Sequence, residues 1–188
     1  MKTKRGSDGC YEFKDYPDFR PNLSPAEVMQ MGSFGGGYFR PIYSAVANRD
    51  IDRAWEDIPK SWLKGLDIRK QVASPVYDVT VNKYGVKCGQ TLEQWEENGW
   101  IREIDPYGWF QWYCRFFQGR RCADDERQVA RGNACFGPKG RWRKNLVNKI
   151  LNSGKPLAKA VDDPTISPAV RQTLQHWGYK VTLDDLKK

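Results

Sequence analysis

Apolar residues recur at helical spacing in several separate stretches, divided by glycine and proline breaks. The densest stretch is Trp109-Phe110-Gln111-Trp112-Tyr113-Cys114-Arg115-Phe116-Phe117-Gln118. There Trp109, Trp112, Tyr113, Phe116 and Phe117 share a wide face, and Gln111, Arg115 and Gln118 lie opposite. The spacing predicts a buried aromatic helix over 109–118, opening after Asp105-Pro106-Tyr107 and closed by Gly119. Ser24-Pro25-Ala26-Glu27 has the form of a capping box with proline in the first helical position, so it predicts a helix over 25–31. Thr91-Leu92-Glu93-Gln94 repeats the capping spacing, with Asn98-Gly99 as a stop, and predicts a helix over 91–98. Trp100 and Ile101 then return to the core.

Asp124-Asp125-Glu126 places carboxylates where a helix N-terminus favours them and predicts a helix over 124–131, followed by a loop from Gly132 to Gly140. A basic amphipathic helix follows over 140–151, with Trp142, Leu146, Ile150 and Leu151 inward and Arg141, Arg143, Lys144 and Lys149 outward. Ser167-Pro168-Ala169 opens a helix over 168–177, and Thr182 to Asp185 starts a last turn. Val76-Tyr77-Asp78-Val79-Thr80-Val81 alternates and is rich in β-branched residues, which predicts a strand over 76–81. Residues 1–23 are polar and broken by Gly6, Gly9, Pro17 and Pro21, so they read as an arm docked by Tyr11, Phe13, Tyr16 and Phe19. The expected fold is mainly α: a compact multi-helix domain over 24–188 around a central aromatic helix, with a small β element.

Composition supports a core built on rings. Of 188 residues, 39% are hydrophobic and 13% aromatic, including 8 Trp, and each buried ring removes a large area from water. The opening Met1-Lys2-Thr3-Lys4-Arg5 has no apolar segment behind it, and no apolar run approaches the length of a membrane span. The expectation is an intracellular protein, cytoplasmic or nuclear, without a membrane partner. Five cysteines are an odd number with no C-x-x-C pair, which argues for reduced thiols and against a metal site. His176 is the single histidine, so any Cys-His or Ser-His pair must use it. No cofactor motif is present. The glycines of Ser33-Phe34-Gly35-Gly36-Gly37-Tyr38-Phe39-Arg40 match neither a P-loop nor a dinucleotide fingerprint. They read as a turn that makes room for Phe34, Tyr38 and Phe39.

The net charge is +8, and most of it sits between Gly108 and Ile150, where Asp124, Asp125 and Glu126 are the only carboxylates. Much of that charge is arginine, which forks onto phosphate. The expected partner is therefore nucleic acid, DNA or RNA. Arg120, Arg121, Arg141, Arg143 and Lys144 would track phosphates, and Tyr38 and Phe39, beside Arg40, would offer rings to bases. An alternative is a hydrolase or lyase acting on a nucleotide or nucleic-acid base, with Asp105, Glu126 and His176 as the catalytic candidates. A third reading is an interaction module for an acidic protein.

Several words of the chain resemble a known family. Ser33-Phe34-Gly35-Gly36-Gly37-Tyr38-Phe39, Tyr84-Gly85-Val86, Asp105-Pro106-Tyr107-Gly108-Trp109-Phe110-Gln111-Trp112-Tyr113-Cys114-Arg115, Gly119-Arg120-Arg121, Asp124-Asp125-Glu126-Arg127-Gln128 and Arg171-Gln172-Thr173-Leu174-Gln175-His176-Trp177 are similar to words in a widespread family of small proteins. The resemblance covers roughly residues 24–180. It implies one compact domain and carries no activity across. Asp105-Pro106-Tyr107 also resembles the water-activating loop of uracil-DNA glycosylases over three residues, but Gly108 stands where that loop has histidine.

Overall fold

The computed structural model describes residues 3–187. The fold is mainly α, with two small two-stranded sheets. Its elements are β1 (Lys4–Arg5), β2 (Tyr11–Glu12), α1 (Pro25–Gln30), β3 (Ile42–Ser44), β4 (Arg49–Ile51), α2 (Leu92–Glu97), α3 (Trp109–Phe117), α4 (Asp125–Phe136), α5 (Arg141–Leu151), α6 (Leu157–Ala160) and α7 (Pro168–His176). Short 3₁₀ turns and one π-turn, Ile68–Val72, fill the long connection between β4 and α2.

Two starts follow from local chemistry. Ser24 Oγ accepts from the Glu27 amide at 3.2 Å while the Glu27 carboxylate accepts from the Ser24 amide at 2.7 Å, which satisfies donors that the first turn of α1 leaves free. Thr91 and Gln94 do the same for α2. The second Ser-Pro-Ala start differs: Ser167 is left-handed, with φ 54°, and its hydroxyl accepts from Lys149 Nζ instead of capping α7.

Trp112, Tyr113 and Phe116 of α3 have no exposed surface. The N-terminal segment packs on them, with Phe13 4.9 Å and Phe19 5.7 Å from the Phe116 ring centre. Phe19 is fully buried and also meets Phe136 of α4 at 5.7 Å. Gln111, expected on the outer face, is buried, because its Oε1 turns back to accept from the Tyr107 amide at 3.0 Å. Full burial of each such ring contributes about 2–3 kcal/mol.

Four expectations are corrected. Residues 76–81 are not a strand: they pair with no other strand among the described residues, Val76 to Thr80 are all exposed, and Val79–Val81 is a 3₁₀ turn started by Asp78, which accepts from the Thr80 amide at 2.8 Å. The sheet positions are elsewhere, with Lys4 opposite Glu12 and Ile42 opposite Ile51. Gly132 does not end α4, which runs on to Phe136; a Cβ there would come within 2.8 Å of the Phe19 ring, so this glycine is a close contact between helix and arm. Trp100 and Leu151 stay outside, at 39% and 42% exposed, while their neighbours Ile101 and Ile150 are buried.

The glycine turn also proves to be structural, though its space serves other groups than Tyr38 and Phe39. Gly35 (φ 56°) lies under the Tyr77 ring, and a Cβ on Gly36 (φ 77°) would stand 1.9 Å from the Lys70 carbonyl oxygen. Among the described residues, no helix is long and apolar enough to cross a membrane.

Candidate nucleic-acid interface

The basic residues expected to form one phosphate-binding surface divide into two groups. Arg120 is spent on a buried carboxylate: its two terminal nitrogens reach Asp105 at 3.0 and 2.5 Å, and Asp105 is wholly buried. Arg115 closes the same site, bonding Asp105 at 2.9 Å and Asp57 at 2.7 Å. Arg121 pairs with Asp15 and lies over the Phe116 ring at 3.9 Å. Arg143, expected outward, turns in to pair with Asp185 and covers the Tyr179 ring at 5.1 Å. Each of these cations already has its anion.

Arg141 and Lys144 are exposed, and neither has a carboxylate partner among the described residues. They belong to a longer stripe. Arg141, Lys144, Asn145, Asn148, Lys149 and Asn152 are all exposed, at positions i, i+3, i+4, i+7, i+8 and i+11 along α5 and its cap. The stripe is about 16 Å long at 1.5 Å per residue. Its side chains are cations and amides only. From Arg127 to Val161 the chain has 9 Lys and Arg and no Asp or Glu.

Tyr38 and Phe39 are buried, which overturns their reading as rings for bases. The Tyr38 hydroxyl donates to the Tyr107 carbonyl at 2.5 Å and accepts from the Gln111 amide at 3.0 Å, and burial pushes its phenol well above the usual range against the pull of that amide. Arg40 is half-buried and donates to the Gly37 carbonyl at 3.3 Å.

The three catalytic candidates lie in separate surroundings, and no hydrogen bond joins any two of them among the described residues. Asp105 is held by its two arginines, and burial pushes its carboxyl up while both guanidiniums pull it down. Glu126 is exposed; the buried carboxylate of that run is Asp125, which accepts from Trp112 Nε1–H at 2.8 Å and from the Cys122 amide at 2.9 Å.

His176 Nε2 accepts from the Phe34 amide at 2.9 Å and faces the Gln172 side-chain nitrogen at 3.0 Å. Gln172 is oriented by the Tyr84 amide, which donates to its Oε1 at 3.0 Å. With donors on Nε2, the ring proton is on Nδ1, 3.4 Å from Cys88 Sγ. Burial pushes the imidazole down to about 3 and the thiol up to about 11. Cys88 and His176 are therefore a neutral pair with the base nitrogen turned away from sulfur, which is not the arrangement of a nucleophile and its base.

Sequence reasoning missed one cluster. The Arg131 guanidinium lies 5.7 Å from the Trp100 ring centre and 5.6 Å from that of Trp177. Trp177 rests on Trp109 at 4.5 Å, and Trp109 stacks on Tyr113 at 5.0 Å. The four-residue spacing of Arg127 and Arg131 was the available signal; the approach of Trp100 and Trp177 to them is tertiary. Among the described residues no group of three or more His, Cys, Asp or Glu is placed to hold a metal ion. No family model, curated protein or solved structure matches the chain.

Proposed function

We propose that the protein binds nucleic acid through the outer face of α5. The observation that carries this reading is the carboxylate-free stripe of Arg141, Lys144, Asn145, Asn148, Lys149 and Asn152. Lysine and arginine neutralise phosphates, and asparagine donates to phosphate oxygens or to base edges. In this reading α3 is the central helix of the fold and serves as scaffold, and Arg120, Arg121 and Arg143 maintain structure.

The test is binding to short single- and double-stranded DNA and RNA across a salt series. Arg141, Lys144 and Lys149 changed together to Gln should weaken binding and flatten the plot of log affinity against log salt by about 2–3. A control that removes equal charge elsewhere, Lys14→Gln with Lys60→Gln and Lys64→Gln, should leave the slope near wild type. Equal loss in both variants would reduce the effect to net charge and refute the stripe. Polyglutamate that competes as well as nucleic acid of equal charge would make an acidic protein the partner.

A further inference from the structure

From α3 to α7 the arginines, Arg131 and the exposed Arg141 apart, are satisfied in one of two ways. Arg115, Arg120, Arg121, Arg127 and Arg143 each meet a carboxylate. Arg171, which is buried, meets none among the described residues, but it fills its fork with the carbonyls of Ile166, Val161 and Ala160 at 2.9, 2.7 and 3.0 Å. Arg131 follows neither pattern. Only its Nη1 is engaged, by Gln128 Oε1 at 2.9 Å and the Trp100 carbonyl at 3.4 Å. Its Nε and Nη2 have no acceptor among the described residues. The same Trp100 carbonyl is shared with Arg127, so two guanidiniums converge on one oxygen with Asp124 paired to Arg127 alone. Such a pair leaves positive charge uncompensated beside low-dielectric rings, where an anion is bound more strongly than in water. Trp100, 39% exposed, presents apolar ring surface to solvent next to that charge. Trp177, itself packed on Trp109, which stacks on Tyr113, lies against the Arg131 guanidinium and limits its freedom, so less ordering is needed when a ligand arrives.

We infer that Trp100 and Arg131 form a subsite for one unstacked nucleotide, with the base on the Trp100 indole and the phosphate on the free edge of Arg131. As a feature of polymer binding the subsite rests on the nucleic-acid reading above, and it adds a preference for single strands, because a paired base cannot leave its stack to reach the indole. Trp100→Ala should weaken binding of a single-stranded oligouridylate roughly 5- to 100-fold and change duplex binding by less than about twofold. Arg131→Gln should weaken the single strand similarly, and Arg131→Lys should restore part of the loss.

A direct titration separates the two readings. In the ¹H–¹⁵N spectrum the Trp100 indole signal is identified by its absence in Trp100→Phe, and uridine 5′-monophosphate is added, with inorganic phosphate in parallel. The nucleotide should shift the Trp100 signal and phosphate alone should shift it less. Equal shifts from both, no shift from either, or a Trp100→Ala variant with unchanged single-strand affinity would each overturn the subsite. A protein that binds no polymer at low salt, while the nucleotide still shifts Trp100, would overturn the α5 reading and keep the subsite. Polymer binding lost in the α5 variant and untouched by Trp100→Ala would do the reverse.

Discussion

Asp105→Ala should be among the most damaging single substitutions in the chain, and its cost can be worked from the two guanidiniums it touches. The carboxylate is wholly buried and receives Arg115 and Arg120, whose side chains are 26% and 24% exposed. Burial pushes the carboxyl up, so the cluster is not in itself a large source of stability. The cost arises from what remains. Arg115 keeps Asp57 and the Ile104 carbonyl, but Arg120 loses both hydrogen bonds to Asp105, and its buried Nε already has no partner among the described residues. Removing one member of a buried pair costs about 3–5 kcal/mol, and the partial exposure of both guanidiniums puts this case near 3 kcal/mol. Asp57→Ala is the internal control: that carboxylate holds the same Arg115 but is 59% exposed, so its loss should cost about 0–1 kcal/mol. Adding Arg120→Met to Asp105→Ala should recover about 1–2 kcal/mol, because it removes the uncompensated charge. Urea unfolding followed by tryptophan fluorescence measures all four proteins. If Asp105→Ala costs no more than Asp57→Ala, or if Arg120→Met adds further loss, the account of a stranded guanidinium is wrong.

Three further outcomes follow from burial and backbone geometry. The depressed pKa of His176, about 3 against an ordinary 6.5, means that between these values the unfolded chain binds a proton which the native chain does not. The contribution of His176 to stability is therefore complete above pH 6.5 and falls with pH by up to about 1.4 kcal/mol per unit. NMR of this single histidine should show no titration above pH 5, and a midpoint near 6.5 would refute the buried neutral ring. Gly36→Ala places a Cβ against the Lys70 carbonyl in a left-handed residue, whereas Gly85→Ala, also left-handed at φ 60°, meets open space. Urea midpoints should show Gly85→Ala costing about 1–2 kcal/mol and Gly36→Ala at least about 2 kcal/mol more, and equal losses would refute the close approach. Cys114 and Cys135 are buried, and burial pushes both thiols up, so a thiol-exchange reagent at pH 8 should react with at most Cys10, Cys88 and Cys122 before unfolding. Five fast-reacting thiols in the native protein would contradict this.

Elements whose causes lie within four residues were legible from the sequence. The Ser24 and Thr91 capping boxes, the aromatic periodicity of 109–118 and the carboxylates before α4 need no knowledge of the rest of the chain. Elements defined by distant groups were not. A strand exists only where another strand pairs with it, and residues 76–81 find none among the described residues; their amides instead serve Ser74, Asp78 and the glycine turn. Gly132 reads as a helix stop on propensity, but in the fold Phe19, more than 100 residues earlier, requires the missing Cβ. Ser167 repeats the letters around Ser24, and Lys149 takes the hydroxyl that a cap needs. The β3–β4 pair was hidden because three-residue strands carry too few alternations to show a period.

The site was harder to read for a related reason: a sequence counts cations, and a surface presents only those left unpaired after folding. Arg121 meets Asp15 across 106 positions and Arg143 meets Asp185 across 42, separations that no local pattern encodes. The pairing of Arg120 with Asp105, 15 positions apart, takes away one of the expected phosphate contacts, the one beside Gly119. A stretch free of carboxylates is a better guide than a run of arginines, because its charge can be neutralised only by anions brought from elsewhere. From Arg127 to Val161 those imported anions reach Arg127, Arg143 and Lys155, through Asp124, Asp185 and Asp163. The cations that remain, Arg141, Lys144 and Lys149 on the outer face of α5, Arg131 beside the two tryptophans, and Lys139 and Lys159 in the flanking segments, are the ones whose field an acidic ligand would meet.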